Sequence, residues 1–248
     1  MTRIVGVVQA RMGSTRLPGK VLRRLGGTSV LGRVVRAVRE SAGVDELVVA
    51  TTTEPLDDAV VEECRQLAVE VYRGSVDDVL ARFLGALAGR RADAVARFTA
   101  DCPLLDPAVV MQVIRAFRTL SDVDYVSTSI APRLPLGTNV EVVRVDALRR
   151  ADALIRSDPS LAFHRTHVTS FVWAHPELFR VVGLTLPPDR SSLRVTLDTP
   201  EDWQLVSAVI EEFGDVSVPL ADLVGWLDAH PAVRALNADV RQKAVEVG

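Results

Sequence analysis

The stretch Gln9-Ala10-Arg11-Met12-Gly13-Ser14-Thr15-Arg16-Leu17-Pro18-Gly19-Lys20 gathers three cations, two glycines, two hydroxyls and a proline. Glycine lets backbone N–H groups approach an anion closely, while Arg offers a planar fork and Lys a point charge to phosphate oxygens. Phosphate handling is the chemistry these residues suit. A solvated turn is the plainer meaning of Gly, Ser and Pro clusters. Position argues against it: the stretch follows Ile4-Val5-Gly6-Val7-Val8, an apolar run that reads as a buried strand, and open α/β sheets bind ligands outside the carboxyl ends of their strands. Neither G-x-x-x-x-G-K-[ST] nor G-x-G-x-x-G is present, so this is neither a Walker loop nor a dinucleotide fingerprint.

Two carboxylates are candidates for a companion role. Asp101 follows the run Ala94-Val95-Ala96-Arg97-Phe98-Thr99 and precedes Cys102-Pro103. It suits a divalent cation, since Mg²⁺ is usually held by one or two carboxylates plus substrate phosphates; it also suits a turn, the commoner reason for a lone Asp in that setting. Asp198 ends the run 192–197 ahead of Thr199-Pro200-Glu201-Asp202. There Thr199 is a natural N-cap, Pro200 fits the first helical position, and Glu201 and Asp202 suit the helix dipole, which leaves Asp198 unassigned. The pair can clamp one Mg²⁺ only if their strands lie side by side. Asp106, before Pro107, reads as a helix cap. His164 and His167 are spaced to share a helix face; with no third ligand in view, substrate contacts or a polar face suit them better than zinc.

These residues need elements to hold them. Helical periodicity covers 30–41, 56–68 and 77–88, with Arg33, Arg36 and Arg39 largely opposite the apolar side of the first and Val79, Leu80, Phe83, Leu84 and Leu87 on the apolar side of the third. Strands are expected at 46–51, 69–72 and 94–99. Strand and helix thus alternate, which implies a parallel, helix-covered sheet with right-handed crossovers. Further on, 125–128 and 138–145 read as strands, the latter alternating so that Asn139 and Glu141 share a face. Helices follow at 146–156, 163–173, 203–213 and 220–227, and 192–197 reads as a last strand.

The 248 residues are 48% hydrophobic and 25% charged, enough for a sizeable core without staples. Cys64 and Cys102 lie far apart, outside any C-x-x-C or Cys/His cluster, so no disulfide framework or zinc site is indicated and a cytoplasmic setting is expected. No apolar stretch reaches membrane-spanning length. The net charge of −3 disfavours nucleic acid as a partner.

Five blocks together carry a resemblance: residues 9–20; Arg97-Phe-Thr-Ala-Asp-Cys-Pro-Leu-Leu105; Leu136-Gly-Thr-Asn-Val-Glu-Val142; His167-Val-Thr169; and Leu193-Arg-Val-Thr-Leu-Asp-Thr-Pro-Glu-Asp202. In this order, over about residues 1–214, the chain resembles the cytidylyltransferases related to CMP-Kdo synthetase, most closely the SpsF-like branch named from spore-coat polysaccharide biosynthesis. The resemblance implies a three-layer α/β/α fold with a mostly parallel central sheet, nucleotide-diphospho-sugar-transferase-like (GT-A-like, Rossmann-like). It implies transfer of CMP from CTP to an acceptor oxygen with release of pyrophosphate, and Mg²⁺ as cofactor. Residue by residue, it implies nucleotide contacts from Ala10, Arg11, Gly13, Ser14, Arg16, Lys20 and Thr99, catalytic roles for Arg11, Lys20, Asp101 and Asp198, and Mg²⁺ ligation by the two aspartates. One catalytic domain over 1–230, with an acceptor and dimerisation subregion at 125–175 and a tail at 231–248 showing no chemistry, completes the expectation, as does a homodimer.

The acceptor side departs from the family pattern. Gly-x-Asp-Val-Glu becomes Gly137-Thr138-Asn139-Val140-Glu141, and Arg-Glu-His-Val-Thr becomes Arg165-Thr166-His167-Val168-Thr169. Loss of two negative charges favours an anionic acceptor, an acidic sugar, sugar phosphate or phosphonate, with Arg133, Asn139, Glu141, His164, Arg165 and His167 as candidate contacts. Two other classes compete. A glycosyltransferase using a sugar nucleotide would be expected to carry an Asp-x-Asp motif after the fourth strand, where none occurs. A non-catalytic nucleotide-binding homologue fits the two departures and is opposed by Arg11, Lys20, Asp101 and Asp198.

Overall fold

The computed structural model describes residues 2–242. Seven strands, β1 (Ile4–Gln9), β2 (Glu46–Thr52), β3 (Glu70–Gly74), β4 (Ala94–Thr99), β5 (Tyr125–Ser127), β6 (Glu141–Arg144) and β7 (Val181–Gly183), form one sheet in the order β3-β2-β1-β4-β6-β5-β7. β1 to β4 run parallel, β6 is antiparallel to both its neighbours, and β5 pairs parallel with the edge strand β7. The sheet is mostly parallel and covered on both faces. Ile4 and Val8 pack with Leu31, Val35 and Ile114, whereas Val5 and Val7 pack with Phe83, Leu87 and Leu148. This two-sided burial is why β1 reads as unbroken apolar sequence.

Five longer helices wrap the sheet: α1 (Val30–Glu40), α2 (Asp58–Gln66), α3 (Val79–Leu87), α4 (Pro107–Thr119) and α5 (Val145–Ser157). Their starts follow from short polar side chains that take up otherwise orphaned N–H groups. Ser29 accepts from Gly32 N, Asp78 from Ala81 N, and Asp106 from Ala108 N with Pro107 at the first helical position. After two short helices, α6 (His164–His167) and α7 (Ser170–Ala174), come α8 (Pro200–Phe213), α9 (Leu220–Ala229) and α10 (Pro231–Arg234). Thr199 and Asp202 close a reciprocal capping box on α8.

Four features differ from the sequence reading, each for a tertiary reason. Arg33 is buried, because α1 is covered on that side by residues 214–216, whose Asp215 pairs with its guanidinium at 2.8 Å. The expected helix over 163–173 breaks at Val168, where φ 56° and ψ −63° form a γ-turn, with Thr169 N donating to His167 O at 2.6 Å. The strand expected over 138–145 starts only at Glu141, since Leu136 turns away to bridge Arg194. Ser192 sits in a turn and residues 193–197 run outside the sheet, held by that bridge and by Leu197 N donating to Asp101 O at 2.8 Å.

Gly137 permits that last arrangement. Its φ is +108°, and a Cβ there would sit 2.6 Å from Thr196 N. Gly137→Ala is therefore expected to lose about 2 kcal/mol or more of stability in a urea titration, from backbone strain plus the clash. It should also displace the segment that ends at Asp198.

Candidate functional site

The chain builds outward from β1 to β2 and β3, then returns to place β4 on the other side of β1. The crevice at the carboxyl ends of β1 and β4 is therefore the topological switch point, the favoured ligand position in such sheets. The loop after β1 enters it from one side and Asp101 from the other. The loop is pinned from below: buried Asp57 accepts from Met12 N at 2.7 Å and from Thr52 N at 3.2 Å, Leu17 is buried, and Gly19 takes the left-handed conformation at φ 65°.

Lys20 is the centre of the site. Its ammonium, 8% exposed as a residue, donates to Asp101 Oδ2 at 2.9 Å, to Asp198 Oδ1 at 2.8 Å and to the Leu197 carbonyl at 2.6 Å. Burial disfavours its charge, but the two aspartates outweigh that and hold its pKa above the ordinary lysine value. Burial likewise pushes the Asp198 carboxyl up, and the hydrogen bond from Lys20, followed by Arg194 and Arg16, brings it below the ordinary carboxylate value. Arg16 lies 3.2 Å from Asp198 Oδ2. Asp101 and Asp198 thus present oxygens to one point, now filled by an ammonium. Such hard-oxygen donors suit Mg²⁺ or Mn²⁺ completed by phosphates and water. Among the described residues no group of three or more His, Cys, Asp or Glu could form a closed protein cage.

Two cavities meet at this point. The first, about 280 Å³, brings together Ala10, Arg11, Gly13, Ser14, Arg16, Lys20, Thr99, Asp101 and Asp198, so all nine residues assigned to the nucleotide or to catalysis share one space. It also contains Arg82, which is 3% exposed, donates from Nη1 to the Ser75 carbonyl and leaves its buried Nε without a partner. Burial, then the charge of Arg11, lowers the Arg82 pKa. A buried guanidinium next to a second cation is a site that an anion would relieve. Thr166, read as an acceptor-side departure, lines this cavity instead.

The second cavity, about 660 Å³, shares Arg16, Thr99, Asp101 and Asp198 with the first and extends to Asn139, Glu141 and His167. Glu141 is its most constrained member. Arg97 Nη1 donates to it, Tyr125 Oη does so at 2.7 Å and Thr169 Oγ1 at 2.7 Å. Arg97 Nε also reaches Gln9 Oε1 at 3.2 Å, linking the two cavities. Arg133, His164 and Arg165 line neither cavity. Arg133 is exposed, Arg165 is taken up by Asp78 and Asp152, and His164 is buried with its Nδ1 2.7 Å from Ser170 Oγ. The two histidines share the short helix α6, yet His167 lines the second cavity while His164 is buried against Ser170.

The cytidylyltransferase family model matches residues 5–216, most of the chain. The chain belongs to that family. Spore coat polysaccharide biosynthesis protein SpsF of Bacillus subtilis is 34% identical over 93% of this chain and 96% of its own. A solved cytidylyltransferase of Leptospira borgpetersenii, 27% identical, superposes with a TM-score of 0.89 over 98% of this chain and all of that one. CMP:2-keto-3-deoxy-manno-octonic acid synthetase, solved with CTP, shares the fold at a TM-score of 0.66, 17% identity and 85% coverage of this chain, 99% of its own.

For this cytidylyltransferase, the geometry adds three residues that sequence reasoning missed. Arg82 carried a signal: a cation directly before Phe83 on an otherwise apolar helix face. Arg97 lies inside a strand, where its long side chain could equally have been solvent-facing. Asp57 looked like an ordinary residue of a helical first turn. Within the subregion 125–175 expected to carry the dimer contact, the apolar Val140, Val142 and Phe171 are buried within the protomer, whereas Trp173 is 38% exposed. No helix among the described residues is long and apolar enough to cross a membrane.

Proposed function

We propose that this enzyme transfers CMP from CTP to a small anionic acceptor, an acidic sugar, sugar phosphate or phosphonate, with release of pyrophosphate and dependence on Mg²⁺. The observation that carries the reading is the convergence of Asp101 and Asp198 on Lys20 at the junction of the two cavities. Nucleotidyl transfer is largely positioning plus neutralisation of charge on phosphate oxygens, so cations and carboxylates at one point suffice and no covalent nucleophile is required. The first cavity takes the nucleotide, with Arg11, Arg16, Lys20 and Arg82 directed at the triphosphate and Ala10, Gly13, Ser14 and Thr99 lining it. Mg²⁺ held by Asp101 and Asp198 would supply Lewis-acid neutralisation at the phosphates. Lys20 then exchanges its carboxylate partners for phosphate oxygens. The acceptor occupies the second cavity, against Asn139, Glu141 and His167.

An anionic acceptor is supported by charge. The second cavity is bordered by Arg16 and His167, and its carboxylate Glu141 is neutralised by Arg97. The contacts proposed from Arg133, His164 and Arg165 are dropped, because those side chains lie outside the cavity. A pyrophosphate-release assay with CTP, Mg²⁺ and a panel of acceptors, with and without an acidic group, tests the reading. Release is expected with CTP in preference to other nucleoside triphosphates and with acidic acceptors. Equal turnover of neutral acceptors would overturn the acceptor class, and tight CTP binding without release for any acceptor would favour a non-catalytic homologue. A homodimer is part of the same reading, with exposed Trp173, Leu154 and Leu178 as its apolar contacts; gel filtration at the protomer mass of 26.9 kDa would rule it out.

A further inference from the structure

We infer that the C-terminal segment 235–242 is a positioning clamp for Asp198 and so belongs to the functional site, although it lies beyond residue 216, where the family match ends. The inference rests on the reading that Asp101 and Asp198 hold the cation. Its basis is a buried relay. Arg194, 8% exposed, lays Nε and Nη2 on the fully buried Asp202 at 2.8 and 3.0 Å, and Nη2 also donates to Asp198 Oδ2 at 2.8 Å. Asp202 in turn accepts from the backbone N of Asp198 at 2.9 Å. Asp198 is therefore gripped at its backbone and at one carboxylate oxygen, and only Oδ1 faces Asp101 and Lys20.

The segment holds the grippers. Asn237, 4% exposed, donates from Nδ2 to the Arg194 carbonyl at 3.0 Å and to Asp202 Oδ1 at 2.8 Å, tying the two partners together. Gln242 Oε1 accepts from Arg194 Nη1 at 2.7 Å, the one guanidinium nitrogen that neither carboxylate reaches. Arg194 and Asp202 cancel each other in charge, so the clamp acts by orientation. A guanidinium has five donors in a rigid fork; a missing partner on Nη1 lets the fork rotate, and the Asp198 carboxylate turns with it. Outer partners of this kind typically change metal affinity by 10–100-fold when removed. The segment expected to carry no chemistry thus acts through Asn237 and Gln242; residues 243–248 lie outside the described residues.

The test is an EPR titration of Mn²⁺ on the full chain, with and without α,β-methylene-CTP, whose P–C–P bridge is not cleaved. In Gln242→Ala and Asn237→Ala the nucleotide-dependent Mn²⁺ dissociation constant is expected to rise about 10-fold, while metal-free affinity for the analogue stays at the wild-type value. Gln242→Glu keeps an acceptor for Arg194 Nη1 and is expected to retain wild-type Mn²⁺ affinity. Arg234→Ala, which removes the contacts with Ser192 and Asp228 made from α10 just ahead of the segment, is expected to do the same. Unchanged Mn²⁺ affinity in both alanine variants overturns the clamp, as does an equal loss in Arg234→Ala, which would point to general loosening of the segment. A wild-type chain that takes up no Mn²⁺ with the analogue removes the cation reading itself.

Discussion

Replacing Lys20 by alanine is expected to lower CTP turnover by about 10²–10³-fold, the usual cost of deleting one donor that stabilises developing charge. Among the described residues Lys20 is the one group bonded to both aspartates and placed in the first cavity, so none of its described neighbours can take over its position. Arg16 is the nearest alternative, but it reaches only Asp198. The fold should persist, since none of the three apolar clusters includes Lys20. Stability should nevertheless become cation-dependent: without the ammonium, two carboxylates face one another and the Leu197 carbonyl loses its partner. The variant should melt below wild type in EDTA and gain more than wild type from added Mg²⁺. Wild-type turnover in Lys20→Ala would sink the assignment of this loop.

Asp101→Asn and Asp198→Asn should each lower turnover by about 10²-fold or more, because each removes half of the carboxylate charge that faces the cation and metal charge stabilisation is worth several kcal/mol. Their effects on melting should differ. Asp198 accepts from Lys20 on one oxygen and from Arg194 and Arg16 on the other, so an asparagine there must turn its amide toward a cation in a buried setting. Asp101 accepts from Lys20 on Oδ2 and is more exposed, so its amide can face solvent while its oxygen keeps the lysine. Thermal unfolding should therefore drop for Asp198→Asn and stay near wild type for Asp101→Asn. Full turnover by Asp101→Asn would exclude it as a cation ligand.

A shared logic links what was legible beforehand. The anion-binding loop could be read because its residue types serve no purpose in a core, and it follows a run that does. Asp198 was legible as a carboxylate left over once the cap of α8 had been accounted for, Asp101 stood open between a turn and a cation ligand, and the family resemblance promoted them to a pair. Arg82 was harder to see, since a single Arg on a helix reads as solvated until the sheet shows that its side is covered. Thr166 fell on the wrong cavity because only the family pattern placed it on the acceptor side, and the break just after it at Val168 was not legible. A β-branched residue at positive φ is a conformation that local preference disfavours and only surrounding packing imposes.

The sequence by itself determined most of the elements and their order, because apolar period and capping residues act over a few positions. It likewise marked out the loop after β1 and, through the resemblance, the family. What only the tertiary structure decided is which residues share a space. Asp101 and Asp198 meet through an extended segment outside the sheet, admitted by the missing Cβ of Gly137. Glu141 is locked by Arg97, Tyr125 and Thr169, and Arg194 is held by two residues from the chain's last described stretch. These contacts join residues tens of positions apart, and burial decides them: a charge withdrawn from water must find its partners wherever the fold brings them.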